Sequence, residues 1–358
     1  MRKSDPRADR LVMILWIALF LAFCLIPSVG MLFAGETQPS ANEILARKPA
    51  IVKRDGSYNA GVLNDVSDYL ADRFAFRKTL VTAWARLNAS VFRSSAEEQI
   101  VLGSDGWLYF EPTLDDYMGC SMSEEELERA ASYLLTLQRD AERRGVRFVF
   151  TIAPNKNSLY GEHMPSYIPE NHAASNAERL KPYLERHGVN YVDLFEVFSE
   201  RDETLYYRSD SHWTEKGAAL AADALLAALG KQSDFFDGPF SEGEPHTGDL
   251  YQMLFPTGSG SEESERYTPG FSFTLSGDPD GGNALKIRSS CAGETGTLLC
   301  WRDSFGISLY PYLADRYENA VFLRSASYDL DEIEKAGADT VLIELVERNL
   351  AQLADTGK

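Results

Sequence analysis

The chain has 358 residues, 44% of them hydrophobic and 25% charged, with a formal charge of −19 and four cysteines. That length and apolar content support one large α/β domain with a substantial core, and the acidity weighs against nucleic acid or an anionic membrane surface as a partner of the domain as a whole. Three cysteines, Cys120, Cys291 and Cys300, follow the N-terminal apolar run, an odd number that cannot all pair internally, and the five histidines show no metal-ligand spacing.

Residues 1–10 carry Arg2, Lys3, Arg7 and Arg10 against Asp5 and Asp9, and residues 11–34 then contain no charge. At about 1.5 Å per residue such a helix crosses a bilayer core of about 30 Å, and its basic flank predicts a cytoplasmic N-terminus with the rest outside. A cleaved signal peptide is the rival reading. The run is longer than a signal core and Leu32-Phe33-Ala34 is a poor cleavage site, so it is read as a retained signal anchor. Residues 35–58 read as a linker and residues 59–358 as the extracytoplasmic domain.

From Val62 to Phe92, Val66, Tyr69, Leu70, Phe74, Leu80, Trp84, Leu87 and Val91 recur at helical spacing, which predicts two helices with most of their aromatics in the core. Gln99–Leu102 and Trp107–Phe110, joined by Gly103-Ser104-Asp105-Gly106, predict a hairpin. Ser123 followed by Glu124, Glu125 and Glu126 opens a helix that Gly145 ends, and Arg147–Ala153 is the strand after it. Asn155, Lys156 and Asn157 then lie at a strand's carboxyl end, where α/β sheets collect ligands; either asparagine is a candidate oxyanion donor, and an Asx-turn is the alternative.

Ser175–His187 predicts a helix with Pro182 as a kink or restart, and Val189–Leu194 a short strand. Glu215–Leu229 is helical behind a Thr214 cap, with Gly217, Ala221, Ala224 and Ala228 as a small-residue face. Residues 231–282 are rich in Gly, Ser, Pro and acids with little periodicity, and read as an insertion over the active-site edge, a lid or a surface hairpin. Thr297–Trp301, Ala320–Arg324 and Thr340–Leu345 are three more strands alternating with helices, the pattern of a parallel sheet between helical layers. Cys291 and Cys300 are spaced for a hairpin disulfide; a reduced, buried Cys300 is the alternative. No glycine-rich phosphate loop or dinucleotide fingerprint occurs, so no cofactor is expected.

Two stretches carry the chemistry. Tyr206-Tyr207-Arg208-Ser209-Asp210-Ser211-His212-Trp213-Thr214 puts a carboxylate two residues before a histidine, so in an extended segment both face one cavity and the carboxylate fixes the imidazole tautomer. Trp301-Arg302-Asp303-Ser304-Phe305-Gly306 puts a serine where a buried strand gives way to a helix, whose N–H groups suit an oxyanion. A polar turn and a helix N-cap are the plainer readings of each stretch taken alone.

Together, Asp-Ser-His-Trp-Thr-x-x-Gly-Ala at residues 210–218 and Arg-Asp-Ser-Phe-Gly at residues 302–306 resemble the DHHW family, SGNH-hydrolase-like proteins related to the alginate O-acetylation proteins AlgX and AlgJ. Residues 103–109, Pro154-Asn155-Lys156, Gly248-Asp249-Leu250 and Glu347-Arg348 look like landmarks of the same group. Ser211 stands where the eponymous motif has its first histidine and is expected to point away from the pair, while Arg302 replaces a glycine of the wider superfamily. The resemblance implies a three-layer, flavodoxin-like SGNH fold with a mostly parallel sheet. It implies Ser304 as nucleophile, His212 as general base and Asp210 as its orienting carboxylate. Asn155, Lys156, Arg302 and Tyr207 are candidates for substrate or oxyanion contacts. It implies an O-acetyltransferase acting on an exported polysaccharide, with a multipass membrane-bound O-acyltransferase as acetyl donor. An acetylesterase with the same triad, or a silent glycan-binding scaffold, uses the same residues.

Overall fold

The structure is a computed structural model that describes residues 6–31, 33, 45–53, 55–119, 122–170, 174–276, 283–325 and 327–355. Cys120, His172, much of the expected linker and the end of the expected insertion lie outside the described residues. The chain forms two compact units, one reaching Glu97 and including Tyr251–Ser259, the other made of Glu98–Leu250 with Gly260 onward.

The first unit opens with the helix Pro6–Gly30, which carries Pro27 without interruption. Its stretch Arg10–Gly30 is 21 residues long, apolar, and unburied throughout; at about 1.5 Å per residue that matches a bilayer core. Two further helices, Val62–Arg73 and Arg77–Leu87, are followed by one wide turn, Asn88–Phe92. The two helices fall where the periodicity puts them, but their burial does not. Val62–Arg73 buries no residue and Arg77–Leu87 buries only Thr82 and Ala85.

Among the described residues the second unit holds eleven strands: β1 (Ile100–Leu102), β2 (Leu108–Phe110), β3 (Arg147–Ala153), β4 (Tyr191–Val192), β5 (Phe240–Glu242), β6 (Glu265–Tyr267), β7 (Thr274–Ser276), β8 (Lys286–Ser290), β9 (Thr297–Trp301), β10 (Asn319–Leu323) and β11 (Thr340–Val346). Seven form the main sheet in the order β4-β3-β11-β9-β10-β8-β7. The first five run parallel, and β8 and β7 add an antiparallel edge. Strands with helices on both faces must be apolar on both, and β3 alternates accordingly. Val149 and Ala153 face the layer of Glu215–Ala228 and Gly306–Ala314, while Phe148, Phe150 and Ile152 face Glu124–Arg143, Asn176–His187 and Ala351–Asp355. This is the expected three-layer α/β architecture.

Local chemistry fixes the helices. Ser123 and Glu126 form a reciprocal capping box, as do Ser175 and Glu178, each cap contributing about 1 kcal/mol. Pro182 lies inside one unbroken helix, Asn176–His187, and neither kinks nor restarts it. The predicted strand Val189–Leu194 shrinks to β4 because Asp193 caps a short helix, Leu194–Ser199, through Phe195 and Glu196 N–H. In Glu215–Ala228 burial covers Gly217, Ala218, Ala219, Leu220, Ala221, Ala222, Leu225 and Leu226, wider than the small-residue face, with Ala228 exposed. A Cβ at Gly217 would lie 2.4 Å from the Leu205 carbonyl, so glycine is required for this helix to approach the chain leading to Asp210. Cys291 and Cys300 are buried free thiols and form no hairpin disulfide.

Because β3, β11 and β9 are parallel and in register, Ala153 pairs with Val346 and Ile343 with Trp301. The segments that follow them, with Asn155 and Lys156, Glu347 and Arg348, and Asp303 and Ser304, therefore leave the sheet at one edge.

Candidate active site

Asp210 sits at the tip of a loop closed by an isolated bridge between Tyr206 and Trp213, with Tyr207 N–H on the His212 carbonyl at 3.3 Å and Thr214 N–H on Leu205 at 2.8 Å. The loop is bent, not extended as the i, i+2 argument assumes. Asp210 and His212 meet through a turn in which Asp210 Oδ1 accepts both the His212 N–H at 3.0 Å and its Nδ1 at 2.7 Å. A turn without a strand partner must satisfy its peptide groups by other means, and here two side chains do it. Lys156 Nζ donates to the carbonyls of Tyr207, Arg208 and Asp210 at 3.1, 3.0 and 2.5 Å. Glu262 accepts the N–H groups of Arg208 and Ser209 at 2.9 and 3.0 Å, and the Ser209 hydroxyl. The β1–β2 hairpin adds Leu108 N–H on Arg208 at 2.9 Å, and its Trp107 and Tyr109 rings lie 5.6 and 5.3 Å from Lys156 Nζ.

The other oxygen of Asp210 accepts from His246 Nε2 and Asp249 N–H, both at 2.9 Å. Gly248 makes this approach possible, since a Cβ there would fall 2.1 Å from the Ser209 carbonyl oxygen. Ser211 does not point away from the pair. Its hydroxyl donates to Asp249 at 2.6 Å and lies 3.2 Å from His212 Nδ1, while its N–H meets Asp249 at 2.8 Å. Asp249 is drawn in, 3.7 Å from Nδ1.

Burial disfavours charge on every one of these groups, and the bonds decide the outcome. Asp210 is held well below the usual carboxylate range because hydrogen bonds from His212 and His246 outweigh its desolvation. His212 is raised above the ordinary imidazole value: its burial acts downward, but the Asp210 hydrogen bond and the charges of Asp210 and Asp249 outweigh it. Asp249 is pushed up by burial and by the Asp210 charge. Burial brings Lys156 down to about 7 against the pull of Asp210.

After β9, Asp303 anchors the second loop. Its N–H donates to Glu344 at 3.1 Å, and its two carboxylate oxygens accept Phe305 N–H at 2.8 Å and Val346 N–H at 2.7 Å. Asp303 is therefore the residue that caps the turn into Gly306–Ala314, and the Ser304 hydroxyl caps no N–H among the described residues. The Ser304 carbonyl accepts Ile307 N–H at 3.1 Å, while its own N–H has no acceptor among the described residues. Phe305, fully buried, packs its ring 4.8 Å from the His212 ring and 4.9 Å from Trp213. Trp213 Nε1 donates to Ser308 at 2.8 Å. Ser304 opens on a cavity of about 270 Å³ with Asp303, Arg302, Glu344 and Arg348. His212 Nε2 is buried and has no hydrogen-bond partner, so no bond joins it to Ser304 in this state.

A family profile described as "SGNH hydrolase-like domain, acetyltransferase AlgX" matches residues 100–268, a span that holds Asp210, His212, His246 and Asp249 and ends before Ser304. The chain is 27% identical over 254 residues to a probable alginate O-acetylase AlgJ of Pseudomonas syringae pv. tomato, covering 68% of this chain and 61% of that protein. A probable alginate O-acetylase AlgJ of Pseudomonas aeruginosa is 28% identical over 193 residues, covering 51% and 47%. Residues 100–268 are thus similar to the AlgX SGNH hydrolase-like domain, and the chain is similar in sequence to the AlgJ proteins. It spans about half to three fifths of the length of these curated relatives. Among solved structures, Bacillus cereus PatB1 with a sulfonyl adduct superposes with a TM-score of 0.54 at 18% identity, over 70% of this chain and 97% of that one. A DHHW family protein from Eubacterium siraeum gives a TM-score of 0.50 at 18% identity, over 63% and 88%. Both share the fold.

The four lesser candidates fall in different places. Lys156 is buried with its ammonium on three backbone carbonyls, which makes it a holder of the Asp210 loop, not the substrate contact expected of it. Arg302 is buried too, with Nη1 on Asp303 O at 3.0 Å and Nη2 on Ala284 O at 3.1 Å, beside the Ser304 cavity. Tyr207 stacks on His246 with centroids 3.9 Å apart. Asn155 is buried, donates its N–H to Glu347 at 2.9 Å and leaves Oδ1 unpartnered, while Asn157 Nδ2 is used on the Thr113 carbonyl. Arg348 makes no ion pair among the described residues; its guanidinium lies 5.5 and 5.8 Å from the Phe110 and Phe305 rings. Asp210, His212 and Asp249 have ligand atoms within 4.8 Å of one another, but those atoms are already bonded to Nδ1 or to Ser211.

Sequence reasoning missed His246, Glu262 and Glu344. Glu344 had a signal, as the lone charge in the buried strand β11; Glu262, inside the run Ser261-Glu262-Glu263, had none.

Proposed function

We propose that the chain is a membrane-anchored, extracytoplasmic O-acetyltransferase that passes an acetyl group through Ser304, His212 and Asp210 to a hydroxyl of an exported polysaccharide. The observation that carries this reading is the His212 imidazole, bonded through Nδ1 to Asp210 at 2.7 Å with its Nε2 unpartnered, while its ring packs on the residue next to Ser304. That is the tautomer a general base needs, and catalytic hydrogen bonds of unliganded enzymes tighten only in the reacting complex. In the first half-reaction Nε2 takes the Ser304 proton as Oγ bonds to the acetyl carbon, and the donor's carbon–oxygen bond breaks with its oxygen recovering the proton. In the second, a sugar hydroxyl gives its proton to Nε2, attacks the acetyl-serine and restores Ser304. The unpartnered Ser304 N–H is the nearest backbone donor for the oxyanion.

The relatives named as probable alginate O-acetylases support a polysaccharide acceptor; a membrane-bound acyltransferase as donor belongs to the proposal and rests on the motif resemblance, and the proposed orientation rests on the basic residues before Leu11. The test is to incubate the full chain with an acetyl ester, with and without oligosaccharide, and analyse Ser304 by mass spectrometry. Acetyl-serine that transfers to the oligosaccharide is expected. Ser304→Ala and His212→Ala should each lower turnover by roughly 10³-fold or more, and the double variant should be no worse. Release of free acetate with no acetylated oligosaccharide makes the chain an esterase, and absence of any acyl-serine overturns the covalent route.

A further inference from the structure

The first unit inverts the usual order of an amphipathic helix. Arg77–Leu87 turns Thr82 and Ala85 inward, where Thr82 Oγ1 accepts from both the N–H and the hydroxyl of Thr257 at 3.0 Å. The outward side of this helix and of the turn Asn88–Phe92 after it carries Trp84, Leu87, Val91 and Phe92, exposed by 46 to 63%. Leu80, Trp84, Leu87 and Val91, spaced four, three and four apart, make one apolar stripe. Water is the wrong solvent for that face.

Two further observations name the right one. The stripe adjoins the apolar N-terminal helix: Leu80, Trp84 and Leu87 share a cavity of about 770 Å³ with Phe23, Cys24 and Pro27. A Cβ on Gly30 would lie 2.7 Å from Ala75 and 3.1 Å from the Phe76 ring. Phe23 precedes Gly30 by seven residues, about 10 Å of helix, which is the depth to which interfacial helices sink. Residues 73–93 also hold Arg73, Arg77, Lys78, Arg86 and Arg93 and no acid, in a chain whose formal charge is −19. Local charge reverses the exclusion of anionic surfaces that the total suggests.

We propose that residues 77–92 form a helix lying in the membrane interface, its Leu80-Trp84-Leu87-Val91 stripe among the acyl chains of the bilayer that Pro6–Gly30 crosses and its basic residues against anionic phospholipid headgroups. The inference rests on the anchor reading above and adds a second membrane attachment to it. Continuity with the anchor and the local positive charge both select lipid over a protein partner.

The test reconstitutes the full chain in vesicles whose acyl chains are brominated, with and without phosphatidylglycerol, and reads tryptophan emission. The other tryptophans of the second unit, Trp107, Trp213 and Trp301, are buried, so Trp16→Phe and Trp84→Phe isolate the anchor and the interface helix. Each substitution should remove a bromolipid-quenched component. The Trp84 component should grow with phosphatidylglycerol and shrink in Arg86→Glu/Arg93→Glu, with far-ultraviolet circular dichroism unchanged. Absence of any bromolipid quenching of Trp16 overturns the anchor. Quenching of Trp16 without quenching of Trp84 overturns this proposal alone, and resistance of Trp84 to aqueous iodide in that case assigns the stripe to a protein contact instead.

Discussion

Asp210 accepts four hydrogen bonds from three residues, His212, His246 and Asp249, and this explains both its low pKa and its rigidity. A carboxylate so held keeps its charge beside His212, which together with Asp249 raises the imidazole above its ordinary value. A base must be neutral to take a proton, so turnover should rise with pH through that raised value, above about 6.5. Asp249→Asn keeps an oxygen for Ser211 and removes one of the charges. The rising limb of the kcat/KM profile should therefore move to lower pH while the alkaline plateau stays within a few-fold; a limb that does not move assigns it to another group. The sequence shows the Asp210–His212 pair because its members are adjacent. It hides His246 and Glu262, which reach the loop from a segment without periodicity, and it misplaces Ser211, because a bend does not alternate faces as a strand does.

At the scale of elements, Phe305 joins the two loops to which the proposal gives the chemistry. Its buried ring meets His212, Trp213 and Tyr206 at centroid distances of 4.8, 4.9 and 6.1 Å. Truncating a fully buried phenylalanine costs about 3–5 kcal/mol, so Phe305→Ala should lower the urea midpoint correspondingly and abolish turnover. Phe305→Leu should recover most of the stability and still lose turnover, since a branched side chain does not hold the imidazole plane. A Phe305→Ala midpoint equal to the parent's removes Phe305 as the joint between the loops. The same scale shows where patterns speak. Strands β3, β9, β10 and β11 are mostly apolar runs and are legible as strands. Strand β8, Lys286–Ser290, buries only Ile287 and Ser289, too little apolar content to announce a strand. Val62–Phe92 has a helical period in both readings, yet period alone does not say whether the apolar side faces protein or another apolar solvent.

Across the whole molecule, buried ionisable groups set how stability follows pH. Glu347 is buried, accepts Asn155 N–H at 2.9 Å and the Ser158 hydroxyl at 2.6 Å, and is pushed up to about 8 by desolvation, with Asp116 raised beside it. The folded protein thus holds a proton that the unfolded chain releases near the ordinary glutamate value of about 4.3. A pKa raised on folding contributes stability that is complete below the unfolded value and is lost as pH climbs through the folded one. Lys156 acts in the opposite sense: lowered to about 7 by burial, it favours the folded state increasingly as pH rises from about 7 toward the ordinary lysine value of about 10.4. Stability should therefore decline from about pH 5, pass a minimum between the two folded values at about 7 to 8, and recover above it. Glu347→Gln keeps an oxygen for both donors and cannot titrate. Its urea midpoint should lose the acid-side decline, a slope of up to about 1.4 kcal/mol per pH unit, while the recovery above about pH 8 stays. Parallel curves for the parent and Glu347→Gln would mean that the carboxyl is ionised in the folded protein and that Asn155 and Ser158 hold a charge there.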